Sequence, residues 1–321
     1  MSRALILGIS GQDGSYLAQH LLSKNYEIVG TSRDAEISTF QNLRRLGIRD
    51  RLKIESVAVN DFRSVLQAVS KAQPDEIYNL SGQSSVALSF QQPVETLESI
   101  GFATLNVLEA IRFIGRPIKF YNACSSECFG DADGLPATET TPFRPRSPYA
   151  LAKSTAFWAC ANYREAYKIF ACSGILFNHE SPLRPARFVT RKIIAAANRI
   201  SHGSHEVLHL GNLSIERDWG WAPEYVQAMH LMLQQSEAED YVIATGQSFS
   251  LQQLLVEVFS CLNLDWRAHV VVDPTLLRPS DLATSRADPG KAAQQLGWRA
   301  KSKMPEVVRM MLEAESKEKL S

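Results

Sequence analysis

The sequence predicts an α/β protein in which a doubly wound parallel sheet is joined to a smaller, mixed α/β substrate domain on its C-terminal side. Three observations predict it. A short apolar run at the N-terminus ends in a glycine-rich turn and then a helical pattern. Apolar strands and helical stretches then alternate at regular spacing up to about residue 178, the rhythm that winds a parallel sheet through right-handed crossovers. Past that point, loops rich in proline, arginine and polar residues break the alternation. The expected division is 1–178 for the first domain, with a return segment near 213–240, and mainly 179–321 for the second.

Residues 3–8 (Arg-Ala-Leu-Ile-Leu-Gly) read as a buried parallel strand, because an unbroken apolar run suits a strand covered on both faces. The turn Gly8-Ile9-Ser10-Gly11-Gln12-Asp13-Gly14 follows, with Gly8, Gly11 and Gly14 spaced Gly-x-x-Gly-x-x-Gly. A helix from Ser15 to Lys24 comes next, with Leu17, Leu21 and Leu22 on its apolar side. Glycines there let the backbone approach a pyrophosphate, and the helix N-terminus offers amide donors and a favourable dipole. A second strand, Glu27–Thr31, leads into Ser32, Arg33 and Asp34. Arginine at that place suits the 2′-phosphate of NADP, whereas an acidic residue suits the ribose of NAD. Arg33, with Ser32 as a second donor, favours NADP, and the adjacent Asp34 keeps NAD open.

Further units follow in order. A strand at 52–59 precedes a helix through Lys71 capped by Asp61. The strand Glu76–Leu80 ends in the polar turn Ser81-Gly82-Gln83-Ser84-Ser85. A long helix is expected over Thr96–Phe113, a strand over Ile118–Ala123, a helix through Tyr167 and a strand over Phe170–Phe177. Beyond 178, helices are expected at Pro223–Gln234, Leu251–Leu262 and Pro305–Lys317, and a strand and turn at Tyr241–Gly246. Helix Pro223–Gln234 is amphipathic enough to return to the first domain.

Ser147-Pro148-Tyr149-Ala150-Leu151-Ala152-Lys153 concentrates the chemistry. Tyr149 and Lys153 stand four residues apart, so a helix puts them on one face. An ammonium beside a phenol stabilises the phenolate, which lets the tyrosine act as a base. Ser125 closes a strand, where its hydroxyl can bond a reacting alcohol. Glu127, two residues on, is a carboxylate that oxidation of an alcohol does not need, and it invites a second proton transfer.

Composition narrows the classes of function. Of 321 residues, 45% are hydrophobic and 21% charged, and 34 basic side chains balance 34 acidic ones. That balance gives no reason to expect nucleic acid or an anionic membrane as partner. No run approaches the ~18 apolar residues of a membrane span. The five cysteines are irregularly spaced, without zinc or redox spacing, so no metal is expected and reduced thiols in a cytoplasmic protein are. The N-terminal apolar run ends too soon for an export signal.

The chain resembles the extended short-chain dehydrogenase/reductases and, within them, the GDP-mannose 4,6-dehydratase family. The resemblance covers nearly its whole length. It rests on Gly8 to Leu17 (GISGQDGSYL), Pro74 to Ser84 (PDEIYNLSGQS), Thr141 to Lys153 (TPFRPRSPYALAK), Asn162-Tyr163-Arg164-Glu165 and Gly174 to Leu183 (GILFNHESPL). It continues through Phe188 to Lys192, Leu210 to Leu213, Arg217 to Gly220 and Tyr241 to Gly246.

That resemblance implies a Rossmann sheet and a hydro-lyase acting on a GDP-sugar with NADP, NAD being the less expected cofactor. It implies catalysis by Ser125, Glu127, Tyr149 and Lys153, with Ser125 at the family's usual threonine position. Cofactor contacts are implied at Gly8, Gly11, Gln12, Asp13, Gly14, Arg33, Leu80, Tyr149 and Lys153. Substrate contacts are implied at Ser84, Asn178, Val189, Lys192, Arg217, Arg278 and Asp281. A homodimer or homotetramer is implied, pairing through Thr96–Phe113 and Tyr149–Tyr167. Several positions depart from the family pattern. Val57-Ala58 stands at a usual Gly-Asp pair, and Ser32-Arg33-Asp34-Ala35 at a usual Arg-Arg-Ser-Ser loop. Pro185-Ala186 occurs where glycine is usual, Asp281 replaces a glutamate, and Ala283 stands for the aspartate that follows it. These departures leave room for a related GDP-sugar such as GDP-manno-heptose. An epimerase or 4-keto reductase is the alternative within the superfamily.

Overall fold

In the computed structural model, which describes residues 1–277 and 280–318, seven parallel strands form the central sheet. They are β1 (Arg3–Leu7), β2 (Glu27–Ser32), β3 (Lys53–Ser56), β4 (Glu76–Asn79), β5 (Lys119–Ser125), β6 (Ala171–Leu176) and, after three strands outside the sheet, β10 (Tyr241–Ile243). Their spatial order is β10-β6-β5-β4-β1-β2-β3. Alternation along β1 shows why these sequences make a two-faced sheet. Ala4 and Ile6 enter one core with Leu17, Leu21, Tyr225 and Met229. Leu5 and Leu7 enter the other with Val65, Val69, Val107 and Leu108. Successive side chains point to opposite faces, so a fully apolar strand feeds both layers.

Strand order reverses between β1 and β4, and the crevice at such a switch point is where ligands of open parallel sheets bind. The Gly8–Gly14 turn follows β1, and the Leu80–Gln83 turn follows β4. Gly8 adopts φ +84°, and a Cβ there would lie 2.7 Å from the Leu80 carbonyl oxygen. A Cβ on Gly14 would lie 2.4 Å from the Gly8 oxygen. Glycine is therefore required for the turn to fold on itself and to meet its neighbour.

The helix after this turn spans Gln12–Ser23 and starts three residues earlier than its apolar pattern suggests. Its N-cap is Gly11, which supplies no side-chain acceptor, so the first amides remain available to an anion. Asp61 caps Phe62–Ala72 as expected, accepting from the Arg63 amide at 2.8 Å. The stretch expected as one helix, Thr96–Phe113, is instead Pro93–Leu97, a π turn over Glu98–Phe102, and Ala103–Ile114. The turn brings Gly101 against helix Pro148–Tyr167: a Cβ on Gly101 would stand 3.3 Å from the Thr155 methyl. Tertiary packing overrides the local helical pattern there.

Outside the central sheet lie β7 (Asn178–Glu180), β8 (Leu208–Leu210), β9 (Glu216–Trp221), β11 (Ser248–Ser250) and β12 (Val270–Val272). β11, β9 and β7 form a three-stranded sheet, and β12 pairs with β8. Helices Val189–Ser201, Leu251–Ser260 and Met304–Glu318 close a separate apolar core around Trp219. Helix Ala222–Leu233 packs on Gln12–Ser23 and shares a core with it, and β10 then extends the central sheet beside β6. Among the described residues, no helix is long and apolar enough to cross a membrane.

Candidate active site

Two clefts open at the carboxyl edge of the sheet and share the wall Leu80–Gln83. The first is lined by Ser10, Gly8, Gly11, Arg33 and the segment Val57–Asn60. The second is lined by Asp13, Ser84, Ser125, Glu127, Tyr149, Lys153, Asn178, Val189 and Arg217. Gly8 and Gly11 in the wall of the first let the backbone approach a pyrophosphate. The far end of this cleft carries Val57-Ala58, the site of one family departure.

Helix Pro148–Tyr167 places Tyr149 and Lys153. Ser147 caps it, accepting from the Ala150 amide at 3.1 Å, and Pro148 occupies the first helical position. Tyr149 and Lys153 thereby fall on one face, with the Lys153 ammonium 5.8 Å from the phenol ring centre. Lys153 donates to the Ala123 carbonyl at 2.7 Å, which ties the helix to β5. Ser125 ends β5, and its hydroxyl accepts from the Glu127 amide at 3.3 Å, turning the chain so that Glu127 borders the same cleft. Four residues from a strand end, the turn after it and one helix thus face one volume.

The electrostatics differ from the expectation for Tyr149. Burial pushes its phenol well above the ordinary value, and the Ser125 hydroxyl pulls it partly back. Burial also lowers Lys153, with the neighbouring thiols opposing that shift. Among the protein's own groups, desolvation therefore outweighs the Ser125 hydroxyl's help to the phenolate.

His179, which sequence reasoning did not single out, joins Gln12 and Asp13, two of the expected cofactor contacts, beside the second cleft. His179 on β7 sits with Nε2 3.0 Å from Asp13 Oδ2, while its Nδ1 is 2.7 Å from the Phe177 carbonyl oxygen. Both contacts are to acceptors, so the ring is set to carry two protons. Gln12 does not reach into a cleft. It donates to Asp13 at 2.9 Å and to the His179 carbonyl at 3.2 Å, and it accepts from Ser181 at 2.7 Å. Burial would raise Asp13, but His179 and Gln12 outweigh it and hold the carboxyl at about 2. Burial would likewise lower His179, but Asp13 outweighs it and raises the imidazole.

The signs set a pH window. Asp13's contribution is present above the ordinary 3.8 and is lost as pH falls through about 2. That of His179 is fully present below 6.5 and is lost as pH rises through its raised folded value. Asp13→Asn is therefore expected to cost on the order of 2 kcal/mol near pH 6, and much less at alkaline pH. Denaturant unfolding of both proteins across pH checks this, and a penalty independent of pH would overturn the pairing.

The expected substrate residues divide. Ser84, Asn178, Val189 and Arg217 border the second cleft. Arg217 is almost wholly buried and donates to the Glu216 and Leu282 carbonyls at 2.9 and 2.8 Å, and to Asp281 at 3.1 Å. Asp281 thus reaches the site through Arg217. Lys192 points away, donating to the His209 carbonyl at 2.7 Å. Arg278 lies outside the described residues. The cleft adds cations that the sequence left unremarked: Arg184, ion-paired with buried Glu180 at 3.3 Å, and Arg187. Both stack on Phe188, at 3.9 and 5.3 Å. Their signal was the position of β7 directly after β6, at the sheet's ligand-binding edge.

Comparison with known proteins meets this geometry. The family profile described as GDP-mannose 4,6 dehydratase matches residues 5–311. The chain belongs to the GDP-mannose 4,6-dehydratase family. GDP-mannose 4,6 dehydratase 1 of Arabidopsis thaliana is 43% identical over 320 residues, covering 97% of this chain and 88% of the plant protein. GDP-mannose 4,6 dehydratase of Homo sapiens is 40% identical over 337 residues, covering 97% of this chain and 91% of its own. Among solved structures, UDP-glucose 4-epimerase of Thermus thermophilus, in complex with NAD, superposes with a TM-score of 0.85 at 25% identity, covering 98% of this chain and 99% of the epimerase. The fold is thus common to dehydratases and epimerases, and within it this member of the dehydratase family carries Glu127 in its second cleft.

Proposed function

We propose that the chain is a sugar-nucleotide 4,6-dehydratase that converts GDP-mannose to its 4-keto-6-deoxy product with NADP. Glu127 is the observation that carries this reading. It stands in one cleft with Ser125, Tyr149 and Lys153, where the interconversion of an alcohol and a ketone alone would leave it idle. The glycine-lined first cleft suits a nicotinamide cofactor, which, when bound, accepts a hydride from sugar C4 and gives it back at C6. Tyr149 takes the C4 hydroxyl proton, with Ser125 holding that oxygen and Lys153 favouring the phenolate. The new ketone acidifies C5. Glu127 removes the C5 proton and delivers a proton to the C6 hydroxyl, which leaves as water. Asn178, Val189 and Arg217, with Arg278 and Asp281, are assigned to the nucleotide half, where cations suit a diphosphate.

Incubation with GDP-mannose and catalytic NADP, without added reductant, tests the reading. A 4-keto-6-deoxy product supports it. NADPH-consuming reduction of a 4-keto sugar, with no dehydration, would sink it. GDP-manno-heptose as the better substrate would confine the proposal to the reaction type.

Arg33 supports NADP over NAD. It borders the first cleft, and its guanidinium is largely exposed, 3.4 Å from Glu95 on the opposite lip. Exposed pairs of this kind are weak, so a 2′-phosphate competes for Arg33 at little expense. Arg33→Ala is expected to weaken NADP binding about tenfold and to change NAD binding little. Equal losses for both cofactors in a titration would remove the argument. A dimer is the assembly we propose, since Phe102, Phe113, Leu151, Trp158 and Tyr167 leave apolar surface exposed on the two expected pairing segments.

A further inference from the structure

The strand end that carries Ser125 also carries a pair of thiols. Cys124 Sγ lies 3.6 Å from Cys128 Sγ, and both cysteines are free and buried. Cys124 borders the second cleft, while Cys128 sits behind it in the turn Ser126–Phe129. The three residues between them in sequence are Ser125, Ser126 and Glu127. Neither sulfur has a part in the reaction above. Their other polar contacts are long: Cys124 to the Lys153 carbonyl at 3.9 Å and Cys128 to the Ala150 carbonyl at 3.7 Å. Burial and the neighbouring Cys128 push the Cys124 thiol well above its ordinary value, whereas at Cys128 the contacts with Cys124 and Ser154 outweigh burial and lower it, and the Lys153 ammonium favours the thiolate at both sulfurs.

We propose that Cys124 and Cys128 form an oxidisable dithiol whose disulfide disarms the catalytic cleft. Hydrogen peroxide is the oxidant class small enough to enter. The Cys124 sulfur attacks one peroxide oxygen, the O–O bond breaks, and the departing hydroxide takes the thiol proton to become water. Cys124 is then a sulfenic acid. The Cys128 sulfur attacks it, the S–O bond breaks, and the second hydroxide leaves with the Cys128 proton as water. Two thiols lose two electrons and two protons, and one peroxide becomes two waters.

Closure has a geometric consequence. The sulfurs must move from 3.6 Å apart to about 2.05 Å. The loop that shortens holds Ser125 and Glu127, and a misplacement of about 1 Å can reduce turnover about a hundredfold. Reduction by a dithiol restores the starting geometry.

The full-length Cys261→Ser protein is the right starting material, because Cys261 is exposed. It is treated with hydrogen peroxide, alkylated and digested with trypsin. Both cysteines fall in one tryptic peptide, residues 120–146. The expected result is that this peptide becomes about 2 Da lighter and refuses alkylation. Turnover should fall at least tenfold and recover with dithiothreitol, and prior saturation with GDP and NADP should slow the mass change. Adding Cys128→Ala should leave the ratio of oxidised to reduced turnover near one. A peptide that stays fully alkylatable while Cys160 and Cys172 do too would overturn the dithiol. A disulfide that forms without loss of turnover would overturn its effect on the site. The mass change needs no substrate, so its outcome stands apart from the dehydratase reading, on which only the turnover arm rests.

Discussion

Glu127→Gln is expected to stop formation of the 6-deoxy product while leaving oxidation at C4 in place. Glutamine keeps the shape and the backbone turn, because the Ser125 hydroxyl accepts from the residue-127 backbone amide, which the substitution retains. It cannot take the C5 proton or return one to the departing hydroxyl. General acid/base groups contribute roughly 10²–10⁴ in rate, and Glu127 serves two proton transfers, so the loss belongs at the upper end. With stoichiometric cofactor, reduced-nicotinamide absorbance should rise on adding GDP-mannose and persist, because no C6 acceptor forms. Rapid mixing with product analysis reads both quantities. A variant that makes neither reduced cofactor nor product would show that Glu127 serves the first step as well.

Tyr149→Phe should fail earlier. Without the phenol the proposed base for the C4 proton is gone, so neither reduced cofactor nor product accumulates, with turnover down about 10²–10⁴. The pH profile separates a base from a packing residue. Burial holds the Tyr149 phenol above its ordinary value, so the phenolate fraction, and with it the rate, should climb as pH rises through neutrality. Lys153→Met removes the ammonium that stands 5.8 Å from the ring, and should move that limb further to alkaline pH. A Tyr149→Phe enzyme that still accumulates reduced cofactor would remove the tyrosine from the proton transfer.

Much of this was legible because the signals were local. The glycine turn reads directly, since sterics within seven residues and against one neighbouring turn decide it. Tyr149 and Lys153 read from helical spacing, and Asp61 from its place before a helix. What stayed hidden depends on distant partners. Asp13 and His179 meet across the whole first domain, and nothing near either residue announces the other. Helix Val189–Ser201 has Phe188 as its N-cap, without a side-chain bond, so its start carried no capping signal. The π turn at Glu98–Phe102 exists to seat Gly101 against Thr155, and that neighbour is invisible in the apolar pattern. Lys192 is a substrate contact by resemblance, and only its backbone partner His209 shows where its side chain points.

The return of helix Ala222–Leu233 and β10 to the central sheet decides what can be cut from this gene. A fragment ending at residue 178 would keep every glycine of the cofactor turn and all four proposed catalytic side chains. It would also strip Leu17, Leu21 and Tyr121 of Tyr225, Val226, Met229 and Ile243, with which they share a core, and would leave β6 as a bare edge. Such a half-gene would yield a sticky, misassembled product. The minimal unit for expression, shuffling or fusion is therefore the chain through at least β10, and swapping substrate lobes between relatives has to proceed by loop replacement and not by a single crossover point.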